Sequence, residues 1–171
     1  MGLPIALIGF RGSGKSTLGA RLAAELKRPF FDLDREIEVA QGRTIAALFR
    51  EEGEAAFRRI EAETLEGIAA RPGIVLAPGG GAVELAESRL LLRHRCRSIY
   101  LDVPIVELVA RLSAGGGRPA LTELPLGDEV ALVAARRDPL YLESAELVLK
   151  IAPGESEATT YSRLRELLAN S

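Results

Sequence analysis

The stretch GFRGSGKS, residues 9–16, constrains this chain more than any other. It follows an apolar run, PIALIGF (4–10), that reads as a buried strand. It leads into KSTLGARLAAEL (15–26), where Leu18, Leu22 and Leu26 recur on one helical face. The pattern G-x-x-x-x-G-K-[ST] gains meaning in this setting of strand, turn and helix. Gly12 and Gly14 allow the backbone to fold tightly, so that N–H groups along Gly12, Ser13, Gly14, Lys15, Ser16 and Thr17 face a phosphate. The helix beginning near Lys15 adds its positive end. Lys15 is placed to reach the β- and γ-phosphates, and Ser16 to offer a hydroxyl to Mg²⁺. A nucleoside triphosphate is the expected ligand. The bland alternative is a glycine-rich turn with an exposed lysine.

The rest of the chain alternates short apolar strands with helices. Strands are expected in PFFDLD (29–34), IVLA (74–77), SIYLDV (98–103) and LVLKIA (147–152). Thr44 reads as an N-cap before IAALFREEG, and EAAFRRIEAETLEGIAAR (54–71) as a long helix stopped by Pro72-Gly73. Its expected buried stripe is Phe57, Ile60, Thr64, Leu65 and Ile68. Further helices are expected in ESRLLLRHR, in PIVELVARL, in DEVALVAARRDPLYLE and in SEATTYSRLRELLA. Residues 113–127, SAGGGRPALTELPLG, lack periodicity and are read as a mobile loop. Such alternation implies an α/β fold of three layers, α/β/α, around a central parallel five-stranded sheet.

Bulk properties narrow the function. The 171 residues suit one domain, and a formal charge of −2 gives no nucleic-acid tail or polybasic membrane patch. Cys96, the single cysteine, excludes an intrachain disulfide. No apolar run is long enough to span a bilayer, and the N-terminus lacks the basic region of a secretory signal, so a cytoplasmic protein is expected. The one Asn, Asn170, leaves no N-K-x-D guanine reader, which disfavours a regulatory GTPase. The length and the absence of an acid ending IVLAPGGG disfavour a motor ATPase. A small-molecule kinase remains.

Two features point to an acceptor site. Asp32 and Asp34 end the second strand two residues apart, so in a continuing strand both carboxylates leave on one face. Their repulsion would be offset by Mg²⁺ and Lys15; the alternative is a solvated loop pair. Gly79, Gly80 and Gly81 follow a strand at its C-terminal end, where open sheets bind ligands, and allow backbone to approach a ligand closely.

Taken in order, the phosphate loop, FFDLDREIE, GEAAFRRIE, APGGG, GRPAL and RRDPLY resemble the shikimate kinases over nearly the whole chain. The resemblance implies a P-loop kinase fold, with an acceptor-binding region at about 33–61 and a mobile lid at about 113–127. It implies transfer of the γ-phosphate of ATP to the 3-hydroxyl of shikimate, with Mg²⁺ held by Ser16 and, through a water, by Asp32. Asp34 matches the acid at the acceptor hydroxyls, and Arg58 and Arg136 match two arginines that hold the acceptor carboxylate. A planar guanidinium suits that task. Arg59 and Arg137 are read as their solvent-facing neighbours, and Glu61 as a partner of Arg58. Arg118 matches a catalytic arginine in the lid. Arg111 matches a residue packed over adenine, and residues 152–160 cover the adenine loop without a clear arginine. A histidine base is not expected, since His94, the one histidine, reads as a surface residue. A monomer is expected, with no nucleic acid or membrane partner. The alternatives are a gluconate or nucleoside-monophosphate kinase of the same fold, and a non-catalytic nucleotide-binding protein.

Overall fold

The computed structural model describes residues 2–114 and 122–171. Five strands form one sheet: β1 (Ile5–Ile8), β2 (Phe30–Asp32), β3 (Val75–Ala77), β4 (Arg97–Asp102) and β5 (Leu147–Lys150). Their order is β2-β3-β1-β4-β5, and every pairing is parallel. Parallel neighbours require crossovers, and helices supply them: α1 (Lys15–Leu26), α2 (Leu33–Gln41), α3 (Ile45–Ala69), α4 (Ala86–Arg95), α5 (Ile105–Ala114) and α6 (Leu126–Ser144), while α7 (Glu157–Ala169) follows the last strand. A short 3-10 helix, Ala82–Glu84, precedes α4.

The central strand shows why both faces are covered. Ile5 and Leu7 enter one apolar cluster with Leu18, Leu22, Val75, Ile99 and Leu164. Ala6 and Ile8 enter the opposite cluster with Leu33, Phe57, Leu65, Leu76 and Tyr141. The period of two sends alternate side chains to opposite layers, so β1 is buried along its whole length. Burial of this kind yields roughly 25 cal/mol per Å² of apolar surface removed from water, which is what fixes the layers together.

Two boundaries differ from expectation, and the break within α3 agrees with it. The second strand stops at Asp32, because the Asp32 side chain accepts from Arg35 N (3.4 Å) and caps α2. Asp34 therefore lies in the first turn of a helix, and the two acids do not share a continuing strand. In α3, Gly53 takes φ 81° and ψ 169°, a break that keeps the Thr44-capped piece distinct from the longer one. At the other end, Leu126 and Gly127 already belong to α6, inside the stretch expected to be loop. On α3 the buried stripe also differs. Phe57, Leu65 and Ile68 are buried, whereas Ile60 and Thr64 are half-buried, and the charged pair Arg58 and Glu61 shares the inner face.

Candidate active site

The phosphate loop forms as its spacing requires. Gly9, Gly12 and Gly14 have φ of 146°, 79° and 94°, a region that side chains with a Cβ rarely enter. Gly14 is the N-cap of α1, which starts at Lys15. Lys15 is buried, and its Nζ donates to the carbonyls of Gly9 (2.9 Å) and Phe10 (2.8 Å). Its ammonium thus sits over the hollow of the loop that its own backbone encloses. The helix end and these N–H groups make the hollow an anion site. Arg111, from α5, donates to Glu107 (3.0 Å) and reaches Gly12 O at 3.5 Å, so this half-exposed side chain borders the loop. Gly154 N donates to the other oxygen of Glu107 (3.2 Å), which sets the 152–156 turn beside α5.

At the mouth of the loop, Ser16 Oγ donates to Asp32 Oδ2. A hydroxyl and a carboxylate, adjacent and solvent-accessible, are hard oxygen donors of the kind Mg²⁺ takes. Among the described residues no group of three or more His, Cys, Asp or Glu could hold a metal. The donor set fits an ion that would draw its remaining ligands from phosphate oxygens and water.

Beyond the C-terminal end of β3 the chain turns through Gly79, Gly80 and Gly81, and charged side chains pack directly on that turn. A carbon added to Gly79 would lie 2.6 Å from Glu61 Oε1 and 2.7 Å from Asp34 Oδ1. At Gly81 it would overlap the Arg58 guanidinium. Gly80 backs onto the phosphate loop, where an added carbon would be 3.1 Å from Arg11 N. The glycines therefore bring α2, α3 and the phosphate loop together at this turn, with two carboxylates and a guanidinium packed on it.

These charges are organised. Arg58 donates to Glu61 (2.6 Å) and Glu54 (3.3 Å), and is almost buried. Burial works against its charge, but Glu61 and Glu54 more than offset this and hold its pKa above the ordinary value. Burial raises the Glu61 carboxyl above its ordinary value, and Asp34 adds to that, while Arg58 and Arg137 oppose it. Arg59 faces solvent, as expected.

On α6 the expectation is reversed. Arg136 has a side chain 61 % exposed, and Arg137 one that is 4 % exposed. Tyr141 fixes the reason: it lies four residues on from Arg137, is fully buried, and donates to Gly80 O (2.6 Å). The face of α6 that meets the glycine turn is the Arg137–Tyr141 face, and Arg136 points away from it. Both arginines donate to Glu84 Oε1 at 2.7 Å. Neither Arg137 nor Glu84 was singled out from sequence. The RRDPLY motif held the signal for Arg137, since Tyr141 marks the inward face, whereas Glu84 carries none.

A second buried ion pair joins Arg11 of the phosphate loop to Glu129 of α6. Glu129 also accepts from Thr122 N (2.6 Å) and Thr122 Oγ1 (3.2 Å). Arg118 lies outside the described residues. His94 is exposed at the end of α4. No helix among the described residues is long and apolar enough to cross a membrane.

A family model described as shikimate kinase matches residues 11–167. The chain is 44% identical over 147 residues to a shikimate kinase of Bordetella pertussis strain Tohama I, covering 86% of this chain and 70% of that one. It is 43% identical over 149 residues to shikimate kinase 2 of Enterobacter sp. strain 638, covering 85% of each. Among solved structures, shikimate kinase from Acinetobacter baumannii in complex with shikimate superposes with a TM-score of 0.91 at 34% identity, over 100% of this chain and 96% of that one. Deoxyadenosine kinase from M. mycoides, at 12% identity and a TM-score of 0.62, shares the fold alone.

Proposed function

The chain belongs to the shikimate kinase family, and we infer from that membership and the site that it transfers the γ-phosphate of ATP to the 3-hydroxyl of shikimate, giving shikimate 3-phosphate and ADP. One observation carries the reading at the level of residues. Asp34, Glu61, Arg58 and Arg137 surround a glycine turn whose middle residue rests on the phosphate loop, so an acceptor in a hollow at that turn would lie beside the nucleotide's phosphates.

The backbone of Gly12–Thr17 and the Lys15 ammonium would hold the β- and γ-phosphates, and Lys15 would exchange its two carbonyl partners for phosphate oxygens. Ser16 and Asp32 would hold Mg²⁺, which when bound neutralises charge on the transferring phosphoryl group. Asp34 would accept from the acceptor's 3-hydroxyl and aim it at the γ-phosphorus. A loose transition state needs little early deprotonation, so orientation is the larger part of that role. Arg58 and Arg137 would hold the carboxylate. This transfers to Arg137 the part expected of Arg136, because the buried guanidinium faces the turn and the exposed one does not. Residues 33–61 form the acceptor side of the hollow, Arg111 and the 152–156 turn the base side, and Arg118 would meet the transferring group. Water exclusion from this hollow would favour transfer over hydrolysis.

The test is ADP release with shikimate, gluconate and AMP offered separately, with Mg²⁺ present. Turnover with shikimate and background rates with the other two are expected. Brisk turnover of gluconate or AMP with none of shikimate would overturn the reading.

A further inference from the structure

We infer that Glu84 is a positioning residue for the acceptor site: it grips Arg137 through Nε and so aims that guanidinium's outer edge at the acceptor carboxylate. The inference rests on the assignment of Arg137 to the acceptor made above.

Glu84 ends the 3-10 helix that follows the glycine turn, and its N–H donates to Gly81 O (2.9 Å). Its backbone is thus tied to the turn that forms the acceptor hollow. Its Oε1 accepts from Arg137 Nε and from Arg136 Nη2, both at 2.7 Å. One carboxylate serves two adjacent guanidiniums, one inside the protein and one in solvent. Arg137 also lies beside Tyr141, whose hydroxyl donates to Gly80 O. The buried guanidinium is therefore held on its Nε side by Glu84 and beside the turn by Tyr141. A guanidinium gripped at Nε still presents its two terminal nitrogens, the edge that meets a carboxylate with two parallel bonds.

Charge balance gives Glu84 a further part. A nearly buried guanidinium without a compensating carboxylate is costly. Arg137 acts on Glu61, and Glu61 is the partner of Arg58. Without Glu84, Arg137 would act on Glu61 with no carboxylate of its own and would compete with Arg58 for it. Burial works to raise the Glu84 carboxyl, but Arg137 and then Arg136 hold it below the ordinary carboxylate range, so it stays ionised at neutral pH.

Steady-state kinetics on Glu84→Ala, Glu84→Gln, Glu84→Asp and Arg137→Ala, with melting curves beside them, decide the matter. For Glu84→Ala the KM for shikimate is expected to rise about tenfold, with the KM for ATP unchanged and kcat reduced less than about threefold. Glu84→Gln keeps an oxygen for Nε but not the charge, and should recover only part of that loss. Glu84→Asp keeps the charge but withdraws it by one methylene, and should raise the KM for shikimate severalfold; it serves also if Glu84→Ala does not fold. A lower melting temperature with wild-type KM for shikimate in all three Glu84 variants would overturn the inference. So would Glu84→Gln performing no better than Glu84→Ala. If Arg137→Ala raises the KM for shikimate while the Glu84 variants do not, only the part given to Glu84 falls. If Arg137→Ala leaves that KM unchanged, the assignment of Arg137 to the acceptor falls instead.

Discussion

Gly79 stands directly against the Asp34 carboxylate: a side-chain carbon at position 79 would lie 2.7 Å from Asp34 Oδ1. It would also lie 2.6 Å from Glu61 Oε1, so one methyl group would press on both acids of the acceptor hollow. The atoms struck are the ends of side chains, not backbone, and they can swing aside.

Gly79→Ala is therefore expected to damage function far more than stability. The acids would yield by about an ångström, which in a positioned site costs on the order of a hundredfold in kcat/KM. The melting temperature should move little, because no backbone atom is displaced. Kinetics and calorimetry on the one variant check both halves. A protein with normal kcat/KM would show that Asp34 tolerates displacement.

Lys15 bonds to the carbonyls of Gly9 and Phe10, both within its own loop. Lys15→Met keeps the length of the side chain and removes its charge. The expected outcome is a folded chain with turnover lowered at least about a hundredfold, since a donor aimed at developing charge is lost. Nucleotide titration should show weaker ATP binding. Unchanged turnover would remove Lys15 from the mechanism.

Asp32 has two tasks on its two oxygens: Oδ1 caps α2 at Arg35 N, and Oδ2 accepts from Ser16. Asparagine preserves the cap and weakens the metal site, whereas alanine removes both. Asp32→Asn should hold its melting temperature yet need more Mg²⁺ for half-maximal rate. Asp32→Ala should show the same Mg²⁺ demand and lose about 0.5–1 kcal/mol as well. A Mg²⁺ titration and a melting curve on each variant separate the two tasks.

How much of this could be read from sequence depends on whether a signal was local. The phosphate loop was legible because glycine spacing, lysine and the flanking strand and helix all lie within a few residues of one another. The parallel sheet was legible because buried parallel strands are apolar on both faces, as in Ile5–Ile8. Asp32 and Asp34 were legible as a pair, but not the geometry between them, since a cap hydrogen bond of 3.4 Å decides where strand becomes helix. The choice between Arg136 and Arg137 failed for a different reason. Adjacent helical residues lie about 100° apart, and only the anchoring of Tyr141 on Gly80 O, across the fold, says which one faces inward. Glu84 was invisible because its partners lie more than fifty residues away along the chain.

Asp102 ends β4 beside Asp138, which accepts from Tyr100 (2.8 Å), with Lys150 paired across on β5. Burial raises its carboxyl above the ordinary value of 3.8, Asp138 adds to this, and Lys150 opposes it. The folded chain thus binds this proton more tightly than the unfolded chain does. As pH rises past 3.8 the unfolded state loses the proton first, and stability falls until the raised folded value is passed. Above that point the penalty is complete and constant; below 3.8 it vanishes. Asp102→Asn cannot ionise, so it should melt above the wild type at pH 7 and lose that advantage near pH 4. Melting curves for both proteins between those values test the sign. A variant less stable than wild type at pH 7 would mean that the pairing with Lys150 outweighs burial and the repulsion of Asp138.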